Sequence, residues 1–224
     1  MTRSIEQDLD SAEAAVAQAG SLKETGFWRA VAELRSDPAL SEKYASRVAR
    51  IDRAAFEKAV KLRAGAGLGV AALALATAAG VALVFVSGRS EGLIRDALFL
   101  AGFGALDVAT HSLAHWVVGR AVGIRFTHVF IGGPPPPRPG LKSDYESYLR
   151  TAPRRRALMH ASGAVVTKLI PFALVPVAWQ VPTSTWVVWV LLVVGVGQII
   201  TDILFSTKTS DWKKFRREWR AGAK

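Results

Sequence analysis

Residues 64–86 contain no charged side chain. At about 1.5 Å of rise per residue, a helix of this length crosses the roughly 30 Å of hydrocarbon in a bilayer. Such a run constrains the fold strongly, because a backbone in lipid must satisfy its own hydrogen bonds and a helix does so within one segment. Three further apolar segments follow at about 93–118, 157–179 and 186–205. The second contains Asp107, His111 and His115, the third His160, Lys168 and Pro171, and the fourth is closed by Asp202. Trp179, Trp186 and Trp189 fall where interfacial aromatics are expected. The predicted fold class is mainly α: a multi-pass membrane protein with four transmembrane helices and an N-terminal soluble helical region.

Charge separates the regions. The formal net charge is +11, yet residues 1–63 carry 11 basic and 10 acidic side chains. The remaining surplus is packed beside the apolar runs. The stretch before the first segment, the long second connection and the tail are basic, whereas the third connection, residues 180–185, has no charge. Basic residues on alternate loops predict both termini in the cytoplasm and a place in the cell membrane. Membrane topology thereby accounts for the surplus, and nucleic acid is not a predicted partner; membrane lipids are. The absence of cysteine excludes disulfides, thiolate metal sites and a catalytic thiol. Residues 1–22 are polar and acidic and do not read as a signal peptide.

The chain divides into a cytoplasmic amphipathic helical region (1–63), a transmembrane domain (64–206) and a basic cytoplasmic tail (207–224). In the first region Ser4 and Gln7 fit a capping box before a helix over 9–19, punctuated by Gly20. A second helix is expected over 24–35, with Trp28, Val31 and Leu34 on one face, broken by Asp37 and Pro38. A third is expected to run from Ser41 into the membrane, since no breaker occurs before Gly65. This region reads either as a cap lying on the bilayer or as a partner-binding domain. The second connection, 120–156, contains IGGPPPPRPG at 131–140, which cannot form a helix and is stiff where proline-rich. Residues 125–131 alternate like a short strand. The connection is a linker or a loop over a site.

Ionisable groups inside a bilayer are functional candidates by default. Asp107, His111 and His115 are spaced by four and share one helical face. Two histidines at that spacing offer two imidazoles to one metal ion. His111, His115, His160 and Asp202 lie at similar depth under the predicted topology. Imidazoles with a carboxylate suit zinc or another first-row divalent ion. The expected ligands are His111, His115 and Asp202, with His160 as a further candidate. Asp107 reads as a partner that orients a ring, and it is the available candidate for acid–base work. His128 reads as a packing residue.

The stretch 110–125, THSLAHWVVGRAVGIR, resembles the zinc-binding helix of the site-2 protease family of intramembrane metalloproteases, which reads His-Glu-x-x-His followed by a small basic turn and a short strand. Residues 126–133 resemble that strand and its glycine end. Residues 156–169, with ASGAVVT at 161–167, resemble the family's Ala-Gly-Pro-x-x-Asn helix without its proline and asparagine. Residues 197–211 resemble the final helix, which supplies an aspartate as third ligand. Asp202 and Asp211 compete for that role; Asp202 sits at the better depth, and Asp211 is followed by the basic tail. The resemblance covers about 105–211 and implies a zinc site and a transmembrane protein or peptide as partner. One departure bears on activity: Ser112 stands where the family has the glutamate that serves as general base. A serine hydroxyl takes no proton at neutral pH without a base of its own.

The expectation is a metal-binding membrane protein of this type that lacks standard protease activity and binds or regulates membrane partners. Three rivals remain open: an active metalloenzyme using Asp107 or His160, a haem protein with His111 and His160 as axial ligands, and a structural bundle whose histidines pair with Asp107 and Asp202.

Overall fold

The computed structural model describes residues 4–132, 137–204 and 210–223. Three helices open the chain: α1 (Ile5–Ala19), α2 (Phe27–Ser36) and α3 (Pro38–Ala59). Their limits follow from local chemistry. Ser4 and Gln7 close a capping box on α1, and Gly20 ends it in the left-handed conformation at φ 68°. Asp37 ends α2 and caps α3 by accepting from the Ala39 and Leu40 amides, with Pro38 at the first helical position.

The third helix does not run into the membrane. It stops at Ala59, and the chain turns into β1 (Arg63–Gly65) before α4 (Ala66–Ser87) begins. The cause is a competing set of hydrogen bonds: β1 pairs antiparallel with β2 (Phe126–Gly132), and the Ile131 amide donates to the Leu62 carbonyl. Arg63 closes the turn by donating to the Glu57 carbonyl at 2.6 Å and to the Val60 carbonyl. β2 pairs in turn with β3 (Arg138–Ser143), giving a three-stranded sheet in the order β1-β2-β3. The second connection is therefore a hairpin followed by the short helix α6 (Tyr145–Arg150), and the expected strand at 125–131 is β2. Most of the proline run, residues 134–136, lies outside the described residues, as do residue 205 at the expected end of the fourth segment and residues 207–209 of the tail.

Four helices are long and apolar enough to cross a membrane: α4, α5 (Gly92–Ala121), α7 (Pro153–Gln180) and α8 (Thr185–Leu204). They match the four expected segments and make this a mainly α membrane protein. Large apolar side chains such as Leu68, Leu75, Leu93, Trp189 and Val193 stand exposed on their outer faces. In water that surface would drive aggregation; in lipid it is the matching solvent. Contact between α4 and α5 depends on glycine, since a Cβ on Gly102 would lie 2.7 Å from the Gly80 carbonyl oxygen.

The chain ends in α9 (Asp211–Ala221), which packs on α7. One core joins α1, α2 and α3, through Leu9, Phe27, Val31, Leu34 and Val48, to Ile124, Tyr148, Leu149 and Met159 of the central connection and α7. A separate core of Phe99, Phe103, Leu174, Val187 and Leu191 holds α5, α7 and α8 together. The first core fixes the N-terminal helices against the bundle at the end where α5 finishes and α7 starts.

Candidate metal centre

His111 and His115 lie one turn apart on α5, with ring centroids 4.7 Å apart and planes at 89°. α7 crosses beside them where Gly163 leaves room; a Cβ there would lie 2.3 Å from His115 Nε2. The same helix fixes both rings. His115 Nδ1 is 2.6 Å from the Met159 carbonyl oxygen, an acceptor, so the ring donates from Nδ1. The Thr167 hydroxyl spends its proton on the Gly163 carbonyl at 2.5 Å and accepts from His111 Nδ1 at 3.0 Å. In the neutral rings Nε2 then carries the free lone pair on both.

Both Nε2 atoms face one carboxylate oxygen. Asp211 Oδ2 is 3.1 Å from His115 Nε2 and 3.3 Å from His111 Nε2. Asp211 opens α9, where a carboxylate suits the helix dipole, and Ser210 caps the helix by accepting from the Lys213 amide. Lys214, one turn on, donates to Asp211 Oδ1 at 3.2 Å. Burial opposes ionisation of Asp211; where both rings carry a second proton at Nε2, their hydrogen bonds and the charges of His115 and Lys214 outweigh it and hold the carboxyl far below the usual carboxylate range. Two ring lone pairs aimed at a carboxylate repel it unless a cation or protons intervene. The three ligand atoms lie within 4.8 Å of one another. Two donors about 2.0–2.1 Å from a tetrahedral zinc stand roughly 3.3 Å apart, close to the separations found here.

α9 reaches this position through a second polar cluster. Glu218, 1% exposed, accepts from Arg156 Nε at 2.8 Å, from the Tyr148 hydroxyl at 3.2 Å and lies 3.7 Å from Arg35 of α2. Arg156 also donates to the Leu149 and Arg35 carbonyls.

The other expected residues take other places. Asp202 contacts Lys168 and is not the carboxylate between the rings. The reason is connectivity: Asp202 lies in the last turn of α8 and faces α7, whereas α9 folds back to bring Asp211 to α5. Asp107 accepts from Gln198 Nε2 at 3.2 Å. Asp107, Asp202, Lys168 and Arg138 share with His111 and Asp211 a cavity of about 360 Å³. His160 lies beside the centre, its Nε2 2.9 Å from the Tyr148 hydroxyl. His128 packs on Phe56 at 5.5 Å. Ser112, 2% exposed, donates to the Pro139 carbonyl at 3.0 Å and so ties α5 to β3. Sequence reasoning missed Thr167, Gly163 and Lys214. The signals were there: Thr167 and Gly163 lie four apart on one face of α7, and Lys214 stands three residues after Asp211.

Compared with models of known protein families, with curated proteins and with solved structures, the chain shows no match.

Proposed function

We propose that this protein is a membrane-embedded divalent-metal protein of the site-2 protease type, with His111, His115 and Asp211 as ligands, that has kept the metal centre and lost standard proteolysis. The carrying observation is the pair of imidazoles whose Nδ1 atoms are committed to α7 while both Nε2 atoms converge on Asp211 Oδ2. Nitrogen and carboxylate donors in that number suit zinc, with one position left for a ligand. A divalent ion held there would polarise a carbonyl or phosphoryl oxygen. The loss of standard proteolysis is supported by Ser112, which stands where the family has its glutamate and donates its hydroxyl to the Pro139 carbonyl. The reading is therefore a partner-binding or regulatory membrane protein, oriented with both termini in the cytoplasm and with a transmembrane protein or peptide as partner.

The deciding measurement is the metal content of detergent-purified protein beside the His111→Ala/His115→Ala double variant. About one zinc or other divalent ion per chain, lost in the variant, is the expected result. No metal in the wild type sinks the metal centre. Cleavage of a transmembrane peptide that His111→Ala abolishes would overturn the non-protease part.

A second reading, an active metalloenzyme, is favoured by one observation: Asp107 lines the same cavity as His111 and Asp211. In that reading Asp107 takes the proton. It requires a chelator-sensitive activity that Asp107→Asn removes, and an activity indifferent to that change eliminates it.

A further inference from the structure

A cleft of about 430 Å³ lies between α2, α3, the sheet and α9. It is lined by Arg35, Lys142, Lys214 and Arg217, and none of the described residues lining it is a carboxylate. The carboxylates that hold these cations stand behind them. Asp52 contacts Lys142, Glu218 contacts Arg35 and Arg217, and Asp211 contacts Lys214. With Arg156, which also falls on Glu218, five cations share three carboxylates. The Arg35 Nε is buried and has no hydrogen-bond partner among the described residues. A desolvated guanidinium N–H without an acceptor is unfavourable, and an anion in the cleft would supply one.

The other half of the lining is aromatic. Trp28 is half exposed at the cleft, 6.1 Å from the Tyr145 ring, and Phe56 and Phe130 form an edge pair at 5.3 Å. Lys142 joins the two halves, with Nζ 5.1 Å from the Phe56 centroid and 5.4 Å from that of Tyr145. Cations beside flat rings recognise a ligand that carries both phosphate and a planar ring. A lone phosphate leaves the aromatic half unused.

We propose that this cleft binds a nucleoside phosphate, its phosphates on Arg35, Arg217 and Lys214 and its base against Trp28 and Tyr145. The site stands apart from the metal centre but touches it: Lys214 serves both the cleft and Asp211. A phosphate on Lys214 draws that ammonium from Asp211, so occupancy of the cleft is expected to alter the third ligand.

The test is calorimetric titration of ATP, without magnesium, into EDTA-treated full-length protein in detergent, which removes the metal centre from the outcome. Saturable binding is expected, weakened roughly tenfold in Trp28→Ala and roughly tenfold in Arg217→Ala. Both side chains are about half exposed, so these variants are expected to keep the fold, and circular dichroism checks it. Adenosine and tripolyphosphate are each expected to bind more weakly than ATP. No ATP binding, or binding indifferent to both variants, overturns the site. Tripolyphosphate binding as tightly as ATP overturns the ring pocket. Inositol trisphosphate binding more tightly than ATP would make it a lipid-headgroup site and overturn the nucleoside reading.

Discussion

The molecule holds two neighbouring clusters of polar groups, one buried and one partly exposed, built from overlapping elements with opposite logic. In one, Glu218, Arg156, Tyr148 and His160 satisfy each other: the ring Nε2 reaches the phenol, the phenol donates to the carboxylate, and the carboxylate meets a guanidinium. In the other, His111, His115 and Asp211 present three acceptors to one point. The closed cluster needs nothing further. Burial and the Glu218 charge push the Tyr148 phenol upward, so it stays a neutral donor at any ordinary pH. The open cluster takes a cation or protons between its rings and its carboxylate. The lesson is that burial and charge alone do not distinguish two such clusters; the direction of the lone pairs does. The two are mechanically linked, because α9 carries Glu218 in one and Asp211 in the other.

The largest break in this comparison is Arg156→Ala. It leaves Glu218 buried with a weaker set of partners and is expected to cost about 3 kcal/mol of stability. Urea unfolding monitored by helical signal measures it, and the loss is expected with or without zinc. A variant as stable as wild type would show that the closed cluster is not the anchor of α9. Next comes Gly163→Ala, which places a methyl on His115 Nε2. Zinc affinity, read by competition with a chromophoric chelator, is expected to fall by roughly a hundredfold. An unchanged affinity would remove His115 Nε2 from the ligand set.

Much of this was readable in the chain. The four spans were, because apolar runs of that length have few other destinations, and so was the histidine pair, because spacing by four dictates a shared helical face. β3 was not: Arg138, Pro139 and Lys142 read as loop, and the strand exists because β2 and the Ser112 hydroxyl satisfy its backbone. The choice between Asp202 and Asp211 was equally hidden. Depth along a span ranked Asp202 first, but Asp211 arrives from a helix outside the spans, and its return is fixed by Glu218 meeting Arg156, 62 residues away in sequence. Long-range pairing of that kind leaves no local pattern. The halt of α3 at Ala59 has the same origin, since the partner of β1 lies beyond two membrane spans.

Finer tests sharpen the contrast. Thr167→Val removes the acceptor that commits His111 Nδ1 and frees the ring to turn. Zinc affinity is expected to drop about tenfold, while the unfolding midpoint of metal-free protein stays nearly constant. Equal losses in both would make Thr167 a packing residue and weaken the distinction between open and closed clusters.

The smallest effect belongs to charges outside both clusters. Glu13 of α1 meets Arg47 of α3 at 2.6 Å but is substantially exposed. The hydrogen bond from Arg47 lowers the Glu13 carboxyl despite some burial. A carboxyl lowered in the folded state stabilises above its unfolded pKa and loses that contribution as pH falls through the folded value. Glu13→Gln is therefore expected to cost about 0.5 kcal/mol at neutral pH, with the difference from wild type vanishing in acid below the ordinary carboxylate range and shrinking in high salt. Unfolding curves at pH 7 and pH 3 read both. A cost that persists in acid would mean that Glu13 acts by packing, and that the N-terminal helices owe more to their shared apolar core than to their surface charges.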